Sequence, residues 1–108
     1  MKSESERLTA LDELAAAPAG PARERGLLAG LTDEASVVRE HAIALAARHL
    51  GPEGLGELLG DDVDAVRRNS ALAALERQGS YAVPHLIKLA QGPNLEVAMF
   101  AVQILSRL

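Results

Sequence analysis

Cysteine is absent from the 108 residues, so disulfides and thiolate metal sites are excluded. Aromatic residues are almost absent, Phe100 and Tyr81 being the whole set, and a strand-built domain would want more of them and of β-branched residues. No apolar run approaches the roughly eighteen residues of a membrane-spanning helix. The opening "MKSESERL" lacks the apolar stretch of a signal peptide, so the expectation is a cytoplasmic protein with no membrane partner. An excess of basic charge is also missing. The formal net charge is -4; residues 1–50 hold six basic and eight acidic groups, and residues 51–108 hold five and seven. That balance lacks the electrostatic footprint of a nucleic-acid binder, and no nucleic-acid partner is expected.

What is present favours helices. Hydrophobic residues make up 48% of the chain, well above the level of a disordered one, and Ala and Leu together supply 38 of the 108 residues. Both lose little on entering a helix. A core rich in Ala lets backbones pack closely, and the length suits one domain with a modest core.

The chain repeats itself. "LTDEASVVREHAIALAARHLG" (31–51) aligns without a gap on "LGDDVDAVRRNSALAALERQG" (59–79) at an offset of 28 residues. Leu31 meets Leu59, Asp33 meets Asp61, Val38-Arg39 meets Val66-Arg67, and Gly51 meets Gly79. A third copy, "LAQGPNLEVAMFAVQILSRL" (89–108), aligns on Val97 at an offset of 31. A weaker copy opens the chain, with Arg7, Ala10, Leu11 and Leu14 where Arg39, Ala42, Ile43 and Ala46 fall later.

Each full copy follows a short apolar segment with helical spacing: "GLLAGL" (26–31), "GLGELL" (54–59) and "VPHLIKLA" (83–90). Pro21 and Pro52 suit first helical positions, and Ser80 suits an N-cap. Gly51 and Gly79 stand where a helix should stop, in a left-handed conformation. The unit reads as helix A, acidic turn, helix B, glycine. Helix A of the first unit, with Gly26 and Gly30, is poor helix material and is expected to be short.

This unit resembles the HEAT-like repeat, in the short version found in phycobilisome lyases and many bacterial proteins. The resemblance rests on Asp33…Val38-Arg39…Ala42, on Asp61…Val66-Arg67…Ser70 and on "SYAVPHLIKLA", and spans about Arg7 to Leu108. It implies an all-α fold, a right-handed α-α superhelix (solenoid) of about three helical hairpins plus an N-terminal helix. The expected division of this single domain is 5–17 for that helix, then 21–51, 52–79 and 80–108 for the three repeats. It also implies a structural ladder of turn acids and helix-B arginines, here Asp33, Asp61, Arg39 and Arg67, bonding between neighbouring turns. Elementary physics agrees: acids ahead of a helix complement its dipole, and a guanidinium reaches several acceptors. In the third copy Gly92 and Ala98 replace the acid and the arginine, so the ladder should end there.

Candidates for chemistry are few. His41 and His49 stand eight apart on one helix, whereas zinc-binding pairs on a helix usually stand three or four apart. Asp61, Asp62 and Asp64 crowd one turn without a nucleophile or the twelve-residue calcium-loop pattern. The serines lie in no nucleophile elbow, and the glycines form no phosphate loop. No catalytic residue, metal or cofactor is expected.

Surfaces hold more promise. With Val38, Val66 or Val97 as position zero and 100° per residue, positions 0, 4, 7, 8 and 11 of helix B point to the core. Positions 2, 3, 6 and 10 point outward, toward what the resemblance implies is the concave side. The candidate partner-binding residues there are Glu40, His41, Arg48, Arg68, Asn69, Leu72, Met99, Phe100, Gln103 and Arg107. Leu72, Met99 and Phe100 either give this face an apolar end or are covered by a local shift of the helix or by the next unit. The expected function is a non-catalytic scaffold or adaptor that binds a protein. The alternative is a component of an enzyme, since some HEAT-like proteins attach bilins or excise alkylated DNA bases, or a piece of a longer signalling protein.

The last helix, "EVAMFAVQILSRL", carries Val97, Met99, Phe100, Ala101, Val102, Ile104, Leu105 and Leu108, more apolar circumference than one packing stripe needs. The surplus is expected to be covered by a second copy of the chain, by a different protein or by residues absent from this sequence, with self-association through this helix the favoured one.

Overall fold

In the computed structural model, which describes residues 2–60 and 64–108, most helices start where the sequence supplies a cap or a proline. Helix α1 (Glu4–Ala16) opens on a capping box: the Glu6 N–H donates to Ser3 Oγ and the Ser3 N–H to Glu6 Oε1, each at 3.1 Å. Those bonds to Ser3 hold the Glu6 carboxyl below the usual carboxylate range. Helices α2 (Pro21–Gly30) and α4 (Pro52–Glu57) begin on proline, whose missing N–H costs nothing at that position. Side chains cap α5 (Ala65–Gln78) and α7 (Leu95–Ser106): Asp64 accepts from the Arg67 N–H at 3.0 Å and Asn94 from the Val97 N–H at 3.1 Å. Helices α3 (Ser36–His49) and α6 (Val83–Ala90) complete the set, with short 3₁₀ turns at Leu58–Gly60 and Gly79–Tyr81. The described residues are all-helical and contain no strand.

Helices α2 and α3, α4 and α5, and α6 and α7 pack as successive pairs. α1 packs on α3, α3 on α5, and α5 on α7, while α4 also meets α6. The molecule measures 41 × 27 × 23 Å along its principal axes. Leu27, Leu31, Leu55, Leu59, Leu75, Leu86 and Ile104 are fully buried, and Ala42, Ala46, Ala71, Ala74, Ala82 and Ala101 fill the close approaches between them.

Polar bonds fasten one pair to the next. Ser70 Oγ donates to the Leu31 carbonyl at 2.8 Å in a buried position. Gln78 Nε2, at the end of α5, donates to the carbonyls of Ala47 (3.2 Å) and Leu50 (2.7 Å) at the end of α3. Within the α2–α3 pair, Arg23 Nη2 donates to the His49 carbonyl at 3.3 Å. These donors satisfy carbonyls that a helix end leaves without intrahelical partners.

Several local expectations change. Helix α2 runs ten residues, longer than α4 with six or α6 with eight. Its glycines serve close approach: a Cβ on Gly30 would lie 2.8 Å from the Ala42 Cβ and 3.0 Å from Leu11 Cδ2. Packing that needs a missing side chain outweighs glycine's poor propensity. Gly51 is extended (φ -72°, ψ 154°) because it serves as the N-cap of α4, whereas Gly79 is in the left-handed region with φ 59°. Ser80 lies inside the 3₁₀ turn, and α6 starts after Ala82 with no side-chain cap.

Val66 was expected in the core with Val38 and Val97, yet it is 46% exposed where Val38 is 1%. Helix α5 buries Ser70, Ala71, Ala74 and Leu75. Its one fully buried leucine stands nine residues after Val66, whereas α3 has Leu45 seven after Val38. The helix therefore turns to bury Leu75, and Val66 swings out. Arg77, at position eleven of α5, is exposed for the same reason, whereas Leu108, at position eleven from Val97, is exposed because it lies beyond the end of α7 at Ser106.

Candidate functional site

Asp33 sits in the turn before α3, and its carboxylate receives both Nε (2.8 Å) and Nη2 (3.1 Å) of Arg7 from α1. It also accepts the Ala35 N–H at 2.9 Å. Burial pushes the Asp33 carboxyl up, but the Ala35 N–H and the Arg7 guanidinium, with Arg39 nearby, outweigh it and hold the group below the usual range. The Arg7 guanidinium is correspondingly raised by the Asp33 bond. Arg39 turns back to its own turn, donating to the carbonyls of Asp33 (2.6 Å) and Glu34 (3.3 Å). The arginine that meets Asp33 therefore comes from α1, which packs on α3. Its alignment with Arg39 was the signal, though Arg7 was not counted in the ladder. Arg67 joins the Asp64 cap through its N–H. Asp61, with Asp62, lies outside the described residues.

The ten residues expected on the outward face of helix B divide by environment. Three of the polar ones are tied sideways to a neighbouring helix of the row: Glu40 to Arg77 at 2.7 Å, His41 Nε2 to Asp12 Oδ1 at 2.6 Å, and Arg107 to Glu76 at 2.5 Å. Arg68 lies 5.3 Å from the centre of the Phe100 ring and 4.0 Å from Glu96. Its guanidinium stacks there as a cation on an aromatic face. Asn69 and Arg48 are exposed. Leu72 and Phe100 are half-buried and pack against the core, so they do not form one apolar end with Met99.

Met99 and Gln103 instead share a different feature. Together with Leu95, Ala98 and Val102 of α7 and Ala90 at the end of α6, they line an open groove of about 480 Å³. No lining residue is charged. Leu95 and Met99 are 74% and 64% exposed, the first and third most exposed of the large apolar residues among the described ones. Leu95, Met99 and Val102 are spaced by four and three, the step of a helix-packing seam, and Ala90 and Ala98 leave room for a neighbour to come close. Leu95 precedes the valine from which the helical positions were counted, and Ala90 belongs to another helix, so neither entered the sequence-derived face. The i, i+4, i+7 pattern through Leu95 was the available signal.

Among the described residues no group of three or more His, Asp or Glu side chains is placed to hold a metal ion. No helix among them is long and apolar enough to cross a membrane. The groove offers apolar contact, one amide and helix backbone, which suits docking of another helix more than bond-making chemistry. The chain matches no family model, no curated protein and no solved structure.

Proposed function

We propose that the protein is a non-catalytic interaction scaffold whose HEAT-like hairpins stack in a right-handed superhelix, with the α7 groove as its principal contact surface. The observation that carries this reading is the uncharged seam of Leu95, Met99 and Val102, exposed beside two alanines. Exposed apolar area of this kind, in one continuous feature, marks contact surfaces. The neighbouring helix-B face contributes a mixed-charge rim, in which Arg68, Glu96 and Arg107 already have partners within the chain. Such a rim sets register and excludes wrong partners more than it adds affinity. The successive packing of α1, α3, α5 and α7 supports the stacked arrangement, since each helix meets the next in the row.

The test is affinity capture with the wild-type chain and Met99→Glu, followed by identification of the bound proteins. The reading expects discrete binding partners, this chain included, that are lost with Met99→Glu while circular dichroism is unchanged. Capture that is the same with both forms would refute it.

A further inference from the structure

The groove on α7 has counterparts inside the molecule, and they say what kind of object fills it. Val102 stands at the repeat position held by Ile43 in α3 and Ala71 in α5. Ile43 is 5% exposed, with Asn69, Ser70 and Ala73 of α5 beside it, and Ala71 is fully buried. Val102 is 54% exposed. At this position the face that each earlier helix of the row buries is thus open on α7, while Met99 stands where α3 and α5 carry Glu40 and Arg68, which meet the next helix through Arg77 and Phe100. Its natural occupant is another helix of similar chemistry.

The opposite end of the row decides how a second copy would supply that helix. The outer side of α1 is lined by Lys2, Ser5, Glu6, Thr9, Ala10 and Glu13. Stacking that surface head-to-tail on the groove would press Glu6 and Glu13 against Leu95, Met99 and Val102. Neither acid would find a cation there, and burying an unpaired carboxylate is costly. Pairing α7 with α7 instead places an uncharged apolar seam on its own equal. With the two-fold axis perpendicular to α7 the two helices run antiparallel, so that their dipoles oppose favourably. The small Ala90 and Ala98 admit the partner's Met99, a flexible side chain suited to an irregular hole.

We propose that the protein forms a closed, two-fold homodimer through α7, with Met99 and Val102 nearest the axis. This rests on reading the groove as a contact surface, and names its occupant as a second copy of the chain. The seam is short, about two helical turns, so the dimer belongs among the weak ones and dissociates on dilution.

Sedimentation of the full chain from micromolar to millimolar concentration should show a monomer passing to a dimer and growing no further. Met99→Glu and Val102→Glu should raise the dissociation constant roughly tenfold or more, with helicity by circular dichroism unchanged at these exposed positions. The absence of cysteine gives a geometric check. A single Met99→Cys or Val102→Cys near a two-fold axis meets its own copy and should form a cross-linked dimer under mild oxidation. Glu13→Cys on α1 should not. A monomer at millimolar concentration, open-ended growth, or cross-linking between mixed Glu13→Cys and Val102→Cys chains would overturn the proposal. A chain that stays monomeric but captures a different protein through this groove overturns the homodimer and leaves the scaffold reading standing.

Discussion

Replacing Ser70 by alanine isolates the bond that fastens α5 to the turn after α2. Ser70 is buried, and its hydroxyl donates to the carbonyl of the fully buried Leu31 at 2.8 Å. Removing the donor leaves a polar acceptor in an apolar setting, which costs about 2 kcal/mol within a range of 1 to 3. Alanine is the better helix former and returns roughly 0.5 kcal/mol. The net loss is about 1.5 kcal/mol. Unfolding entropy near 2.1 cal/mol/K per residue gives a chain of this length about 0.23 kcal/mol/K, so Tm should fall by about 6 °C. The control is Ser106→Ala, the same chemical change at an exposed site where the hydroxyl bonds only within its own helix, to the Gln103 carbonyl. That variant should melt within about 2 °C of the wild type. Thermal unfolding followed by circular dichroism reads both. A Ser70→Ala protein that melts with the wild type, or a Ser106→Ala protein that falls equally far, would show that this bond does not hold the pairs together.

Asp33 predicts a pH dependence. Its folded-state carboxyl lies below the ordinary value, so its contribution is complete above the unfolded carboxylate range and fades as pH drops through the folded value. Urea midpoints of wild type and Asp33→Asn should therefore differ most at neutral pH and converge in acid; a constant gap would contradict the pairing with Arg7. Gly79→Ala should cost about 1 to 3 kcal/mol from backbone strain alone, since φ is 59° and nothing crowds the added methyl; an unchanged melting curve would mean the turn relaxes freely. Arg77→Ala breaks an exposed pair with Glu40 and should cost under about 1 kcal/mol, and the difference should vanish in high salt; a larger, salt-resistant loss would count against a surface role.

Much of the local architecture is legible in the sequence because its signals are strong. Pro21 and Pro52 mark two helix starts, and the offset of 28 residues brings Ala42 and Ser70, both buried small residues, to the same place. The rotation of α5 is not legible, because alanines at 71, 73 and 74 fit two neighbouring stripes equally well. Only the packing of Leu75 chooses between them, and Val66 pays the consequence in exposure. The surface is harder still. Met99 and Gln103 are found from helical position, but the groove needs Ala90 from α6, and pairing between helices is not written in either helix alone. The same holds for the charges. Glu40, His41 and Arg107 look solvent-facing on a wheel, and each meets a polar partner 29 to 37 residues away in the chain.

Packing along a row has a consequence for how the chain acquires its structure. The principal contacts join helices that are adjacent in sequence or one apart in the row, so each step of folding closes only a short loop. Loop closure of that kind is cheap in entropy, which places the protein toward the fast end for small domains. Helices α3 and α5 have row neighbours on both sides, while α1 and α7 have one each. Amide exchange should accordingly be slowest in α3 and α5 and quickest at the two outer helices, which open while the middle stays closed.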